Sequence, residues 1–278
     1  MSGYRYPFIT FLSDYGLADE FVGVCHGVMY RIAPQARIVD ITHGIKPQNV
    51  SEGALVLAQS LPYMPEGVHL AVVDPGVGSG RRHLIVVAGD GSCLVGPDNG
   101  LLVPAACRLG GIVTCHKIEN RELMAARPSR TFHGRDVFAP AAAHLALGVA
   151  PQEFGDEVAA ADLVSLTTSA PRLHEDHLHA IVTHVDRFGN LQMNVSANEL
   201  ANIGLGPGST LEVRVEGRWA LVAYRETYAS VAQGDPVLTE DSYGLLSLAV
   251  NQGSAADRFR GSLGAKVILG PPGSSARD

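Results

Sequence analysis

The stretch HLAVVDPGVGSGRR, residues 69–82, decides how the rest of the chain is read. Leu70 to Val73 is a short apolar run with β-branched residues at its end, the pattern of a strand buried inside a sheet. The run stops at Asp74 and turns through Pro75-Gly76-Val77-Gly78-Ser79-Gly80 to the paired Arg81 and Arg82. Ligands in open α/β sheets bind beyond the carboxyl ends of the strands, where side chains leave the core. A carboxylate at that edge, met by a guanidinium that a glycine-rich loop brings back, is a candidate site. A polar turn with one surface ion pair is the plainer reading of the same residues.

Working outward, Phe8 to Leu12 is another short apolar strand, ending at Ser13-Asp14-Tyr15-Gly16. Phe21 to Ile32 has apolar residues at helical spacing and Pro34 as its stop. Arg37 to Ile41 is a strand ending in Thr42-His43-Gly44, and a helix is expected over Gly53 to Leu61. Strands and helices alternating in units of about 30 residues indicate a largely parallel sheet flanked by helices. After Arg82, His83 to Ala88 and Cys93 to Gly96 form a hairpin across Gly89-Asp90-Gly91-Ser92. A short helix opens at Leu101, Ile112 to His116 is a strand, and an alanine-rich helix covers Val137 to Leu147. Asp14, Asp74, Asn99 and His133 all fall at element ends, where a site is assembled.

Pro151 to Pro171 is a poorly patterned connector, and beyond His179 the helical signal nearly vanishes. Short strands are expected at Ala180–Val185, Leu191–Val195, Thr210–Val215, Trp219–Tyr224, Pro236–Thr239, Leu245–Val250 and Lys266–Leu269. Their spacing of about 10 residues, with turn signals between, suggests a small β-barrel or sandwich. The expected organisation is an α/β domain over residues 1–170 and an all-β domain over residues 171–278, with a disordered tail after Gly270.

Composition narrows the partners. Of 278 residues, 46% are hydrophobic and 18% charged, enough for a sizeable core and against disorder. The net charge is −7 without a lysine- or arginine-rich run, which argues against nucleic acid. The amino-terminal stretch has no basic region followed by a long apolar segment, and no apolar run approaches the roughly 20 residues that span a bilayer. Cys25, Cys93, Cys107 and Cys115 are scattered, as expected of thiols in a reducing cytoplasm.

Three chemistries compete. His174, His177, His179 and His184 carry no compact zinc spacing, and alternation on a strand separates them, so no metal is expected there. GVGSGRR is neither a P-loop nor a dinucleotide fingerprint, and the aspartate at its head repels phosphate. The third is the set Asp74, Arg81 and His133: an arginine can fix a carboxylate by a bidentate hydrogen bond, and a histidine beside them can accept a proton or orient water. No GxSxG elbow or activated cysteine points to covalent acyl chemistry.

Seven stretches, in this order, carry a resemblance: FLSDYG (11–16), IKPQNVSEGA (45–54), VVDPGVGSGRR (72–82), GPDNGLL (96–102), TFHGRDVFAPAAAHLA (131–146), DRFGNLQMNV (186–195) and EDSYGLLSLAVNQGSAA (240–256). From about Phe8 to Ile268 the chain resembles the S-adenosylmethionine hydrolase (hydroxide adenosyltransferase) family, related to the fluorinase and chlorinase. The resemblance implies an amino-terminal α/β domain, a carboxy-terminal β-barrel, and homotrimers with active sites between subunits. It implies cleavage of S-adenosylmethionine by water at ribose C5′, giving adenosine and L-methionine, with no cofactor beyond the substrate.

By the same resemblance Asp74, Arg81 and His133 hold and polarise the water, and Asp14 grips the ribose hydroxyls. Asp186 and Asn190 hold the methionine end with Ser242, and Phe188 and Tyr243 pack on the substrate. Read without the family, Asp186 and Asn190 are what any hairpin turn requires. Halogenation is disfavoured: the fluorinase halide pocket has tyrosine, threonine and serine where this chain has Asp74, Val77 and Gly134, and a carboxylate opposes an incoming anion. The fluorinase tryptophan near the substrate is Gln48 here, and the halogenase insertion is reduced to the hairpin at Gly89 to Ser92. A non-catalytic sensor of adenosine or S-adenosylmethionine would keep Asp14 and Asp186 but has no need of Asp74, Arg81 and His133 together. A metal-dependent hydrolase using Asp14, Asp74 and His133 would be sensitive to chelators.

Overall fold

The computed structural model describes residues 5–167 and 170–273. The chain divides into two compact units, residues 1–167 and 168–278. The expected disorder after Gly270 falls chiefly on residues 274–278, outside the described residues.

The first unit is built on six strands: β1 (Phe8–Ser13), β2 (Arg37–Thr42), β3 (Val68–Val72), β4 (His83–Ala88), β5 (Cys93–Pro97) and β6 (Ile112–Lys117). Their order is β2-β1-β3-β5-β4-β6. β1 runs parallel to β2 and β3, and β3 parallel to β5, whereas β4 is antiparallel to β5 and β6. The sheet is therefore mixed, because the tight turn at Gly89 to Ser92 forces reversal where a helical crossover would keep the strands parallel.

Alternation along β3 shows why the run read as buried. Leu70 and Val72 enter one core with α1 (Phe21–Ile32), while Ala71 and Val73 enter a second with α2 (Val50–Ser60) and α3 (Val103–Arg108). The first face also takes α4 (Ala139–Ala146), whose Ala139, Ala141, Ala142, Ala143 and Ala146 are fully buried. Side chains of one methyl let α4 lie close to the sheet. α2 starts three residues before the expected Gly53 because the Asn49 side chain accepts from the Glu52 amide at 3.1 Å and caps it. The alanine-rich helix also begins differently from expectation: a wide π-helical turn at Gly134–Phe138 precedes it. Pro140 has no amide to give the Asp136 carbonyl, and the Ala125 N–H supplies that bond instead at 2.9 Å.

The second unit is a closed barrel of seven strands: β8 (His177–Val185), β9 (Leu191–Ser196), β10 (Thr210–Val215), β11 (Arg218–Tyr224), β12 (Pro236–Glu240), β13 (Leu245–Val250) and β14 (Lys266–Gly270). Pairing of β14 with β8 closes the ring, and a short β7 (Arg172–His174) pairs with β8 outside it. Leu211, Val213 and Val215 alternate inward along β10 and join Leu191, Met193 and Val195 of β9 in one core. Three elements were not expected from the sequence: β7, and the single-turn helices α5 (Ala197–Ala201) and α6 (Ala255–Phe259). Each helix is started by a serine, Ser196 or Ser254, that accepts a backbone amide.

Candidate active site

β1 and β3 are neighbours in parallel register, with Ser13 opposite Val72, so the chain leaves both at the same sheet edge. Asp14 follows β1 there, and Asp74 lies two residues beyond β3. The glycine-rich loop then folds back by two turns, Val77 N–H to Asp74 C=O at 3.2 Å and Ser79 N–H to Gly76 C=O at 3.0 Å. Gly78 has φ +78°, and a Cβ there would strike the Arg130 carbonyl, so no other residue fits.

The loop returns Arg81 onto Asp74. Arg81 Nε donates to Asp74 Oδ1 at 2.7 Å, and its terminal nitrogen donates to Oδ2, a bidentate pair whose side chains are only 9% and 6% exposed. The guanidinium lies 5.3 Å from the Phe138 ring centre. The same terminal nitrogen is 3.1 Å from His133 Nδ1. His133 is placed by the start of the π-helical turn, and His83, the first residue of β4, approaches Nδ1 with its own Nε2 at 3.1 Å. Burial, then the Arg81 cation, holds the His133 pKa below its ordinary value, although Asp74 and Asp136 act the other way. Burial, reinforced by Arg81, His133 and Arg121, pushes His83 down to about 4.

Among the described residues Asp14 is held through one oxygen: Oδ2 accepts the Gln48 amide at 2.8 Å. Gln48 itself has φ 67°, so the backbone at that position, rather than the side chain, fixes Asp14. Asp14, Asp74 and His133 share a cleft of about 370 Å³ with Tyr15, Phe21 and Phe132. These three rings meet edge to face, with centres 5.2 to 5.9 Å apart. Burial raises the Tyr15 phenol far above its usual range, so it stays neutral. Gly134 also lines the cleft, and a Cβ there would overlap the Tyr15 hydroxyl.

Two features of this edge were not found from the sequence. One is His83, which reads only as the start of a strand. The other is a brace behind Asp14 and Tyr15: His26 Nε2 and His43 Nε2 lie 2.9 and 3.1 Å from Asp40 Oδ1, and His43 Nδ1 is 2.7 Å from Ser13 Oγ. Ser13 Oγ in turn accepts the Tyr15 amide at 3.2 Å. The three atoms facing each other lie within 4.8 Å, but the two contacts to Asp40 are shorter than the roughly 3.3 Å edge of a tetrahedral zinc site, as befits hydrogen bonding. The four histidines of residues 174–184 do not gather into a three-ligand group among the described residues.

In the barrel the residues singled out occupy two turns. Asp186 Oδ1 accepts the amides of Phe188 and Asn190, each at 2.9 Å, and Oδ2 accepts the Asn190 side chain at 2.8 Å. Ser242 and Tyr243 lie in the β12–β13 turn, where Asp241 Oδ1 accepts the amides of Tyr243 at 2.8 Å and Leu245 at 3.1 Å. Phe188 is 75% exposed and Tyr243 40%. Asp241 was missed by the sequence reading, as was Tyr228. Burial raises the Tyr228 phenol, and both Asp186 and Asp241 add to the rise.

Residues 9–155 match the SAM hydroxide adenosyltransferase N-terminal domain, and residues 180–268 the C-terminal domain of that family. A Salinispora tropica protein named (R)-S-adenosyl-L-methionine hydrolase is 47% identical over 90% of this chain and 93% of its own length. One of that name from Thermus thermophilus is 40% identical over 90% of this chain and 94% of its own. A fluorinase from Actinopolyspora mzabensis is 29% identical over 91% and 93%. A crystal structure of an uncharacterized conserved protein from Thermotoga maritima superposes with a TM-score of 0.88 at 35% identity, covering 94% of this chain and 99% of that one.

Proposed function

The chain belongs to the SAM hydroxide adenosyltransferase family, and from that premise we propose that it hydrolyses S-adenosyl-L-methionine to adenosine and L-methionine. The observation that carries the chemistry is the Asp74–Arg81–His133 cluster at the mouth of an aromatic cleft. Water attacks C5′ of the ribose as the C5′–S bond breaks. Its electron pair goes to sulfur, which leaves as the neutral thioether of methionine, and the water's proton is released. A sulfonium is already a good leaving group, so the work left to the protein is placing one water in line.

Asp74 takes the water's hydrogen bond, and Arg81 keeps that carboxylate ionised and oriented. His133 completes the water's surroundings. Asp14 has one oxygen committed to Gln48, which leaves the other for the ribose hydroxyls. Phe21, Tyr15 and Phe132 supply apolar walls that exclude bulk water from the reacting carbon. Asp186 and Asn190, with Ser242, take the methionine end, and Phe188 and Tyr243 cover the substrate. In this reading the protein is a cytoplasmic homotrimer whose barrel residues serve the cleft of a neighbouring subunit, and it needs no cofactor. Halide is the poorer nucleophile, because Asp74 faces the cleft and the Tyr15 hydroxyl fills the space beside Gly134.

The relatives' name specifies one configuration at the stereogenic sulfur, and we propose the same R preference. The test incubates purified protein with each epimer in EDTA and halide-free buffer and quantifies adenosine and methionine. Equimolar release from the R epimer, absent with His133→Ala, is expected. Substrate binding without adenosine would replace hydrolysis by the sensor reading.

A further inference from the structure

We infer that Gln192 and Asp241 are positioning residues that lock two turns of the barrel, Asp186 to Asn190 and Asp241 to Leu245, into one platform for the amino-acid end of the substrate. The two turns are the same object built twice. DRFGN and DSYGL both read aspartate, any residue, aromatic, glycine. In each, the aspartate Oδ1 accepts the amides two and four residues ahead. The aspartate amide bonds the carbonyl of the fifth residue, at 3.2 Å in the first turn and 2.8 Å in the second. Gly189 and Gly244 both have φ 79°, which a side chain would resist. Each turn thereby holds up an exposed ring, Phe188 or Tyr243.

The fifth residue is where they differ. In the first turn it is Asn190, whose side chain donates to Asp186 Oδ2 at 2.8 Å. In the second it is Leu245, whose side chain has no donor. Asp241 Oδ2 takes its bond from Gln192 Nε2 instead, at 2.5 Å. A carboxylate only accepts, so the glutamine must turn its NH₂ toward it. Gln192 lies two residues past Asn190, so the carboxylate of one turn is tied to the strand that leaves the other.

The strand pairing explains why a long side chain makes this tie. β9 and β13 run antiparallel, with Leu191 opposite Leu248 and Ser196 opposite Leu245. The two turns are therefore offset along the sheet, and a side chain has to span the offset. Gln192 is buried, so its bond to the carboxylate is made away from water, where it is stronger. Both carboxylates also act on Tyr228, which fits turns that share one neighbourhood. Asp186, Asn190 and Ser242 are to grip one small zwitterion, so affinity depends on the spacing between the turns.

The substrate role rests on the hydrolase reading; the tie between the turns does not. Gln192→Glu sets a second carboxylate against Asp241, and KM for S-adenosyl-L-methionine at neutral pH is expected to rise about 10-fold with kcat within about 2-fold. Adding Asp241→Asn exchanges amide and carboxylate. The asparagine oxygen still accepts the Tyr243 and Leu245 amides while its NH₂ donates back, so KM should return to within about 3-fold of the native value. In parallel, hydrogen exchange at the Tyr243 and Leu245 amides should quicken about 5-fold in Gln192→Glu and slow again in the exchanged pair. Should Gln192→Glu not fold, Gln192→Met, which lacks the donor, is expected to show the same two losses. Unaltered exchange at those amides would overturn the tie whether or not adenosine is formed. An unchanged KM with adenosine still released, or a raised KM that the exchanged pair does not recover, would overturn the positioning role.

Discussion

The two units use aspartate in opposite ways. In the α/β unit Asp74 is held by Arg81, seven residues on and returned by the glycine-rich loop, and Arg81 in turn meets His133, 52 residues further along the chain. In the barrel Asp186 spends its oxygens on its own turn, on amides two and four residues ahead. A carboxylate fixed by the tertiary fold with its partners behind it can face a substrate without being needed to shape the chain. A carboxylate that closes its own turn does structural work first, and whatever it offers a ligand comes through that turn. The difference predicts where a substitution shows up: in turnover at the first, in stability and affinity at the second.

The largest expected effect is at Asp74. Asp74→Asn keeps the size and one acceptor but removes the charge, and kcat should fall by about 10²–10⁴ with KM changed little. Asp14→Ala should instead raise KM more than it lowers kcat. Equal losses in both parameters for the two variants would erase the division between water-holding and ribose-binding carboxylates.

Acid should separate the units next. His69 is buried against the Thr10 hydroxyl, its Nδ1 at 2.9 Å, and burial pushes its pKa down to about 4, as for His83. A histidine held neutral in the fold binds its proton first in the unfolded chain. Its contribution is present above the ordinary pKa of 6.5 and is lost as pH falls from there toward 4. For His69 alone this amounts to about 3 kcal/mol across that window. In the barrel His179 is lowered too, but it is exposed. Hydrogen exchange followed from pH 7 to 4 should show the α/β unit loosening before the barrel; the reverse order would contradict this placement of buried histidines.

Gly134 sharpens the first half of the comparison. Gly134→Ala drives a methyl into the Tyr15 hydroxyl and should destabilise by about 1–3 kcal/mol while deforming the cleft wall. Combining it with Tyr15→Phe removes the obstructing oxygen, so the double variant should lose less than the sum of the singles. Additive losses would mean that the two residues do not share that space. The smallest effect belongs to Asp186→Ala: loss of the turn should cost about 1–2 kcal/mol of stability, seen as a lower Tm, and raise KM. Asp186→Asn keeps an acceptor and should recover most of the Tm.

Much of this was legible in the sequence where the physics is local. The Leu70–Val73 run, the Gly89–Ser92 turn and the barrel strands are read from periodicity and turn residues, and the structure carries them at nearly those positions. Asp74 and Arg81 were visible because a glycine-rich loop joins them. What escaped has two physical origins. β7, α5 and α6 are three to five residues long, too short for a period to emerge, and depend on a serine cap or an edge strand to pair with. His83 and the His26–Asp40–His43 brace depend on contacts between distant segments, and in sequence each histidine is simply a polar residue near an element's end. The connector before Pro171 also has more structure than its pattern offered: Arg82 reaches the Asp162 carbonyl, and Asp98 accepts the Val164 amide at 3.0 Å. Both arginines of the opening stretch are thereby used, Arg81 for the site and Arg82 for tying down the strap.

The claim at the centre is that water, placed by Asp74, Arg81 and His133, attacks C5′ directly. A single turnover with enzyme in excess, run in H₂¹⁸O and read by mass spectrometry, tests it most directly. Adenosine carrying one ¹⁸O at its 5′ position, with unlabelled methionine, is the predicted result. Unlabelled adenosine would mean that the oxygen came first from a protein carboxylate, and label in the amino acid would mean that water attacked elsewhere; either would contradict direct attack.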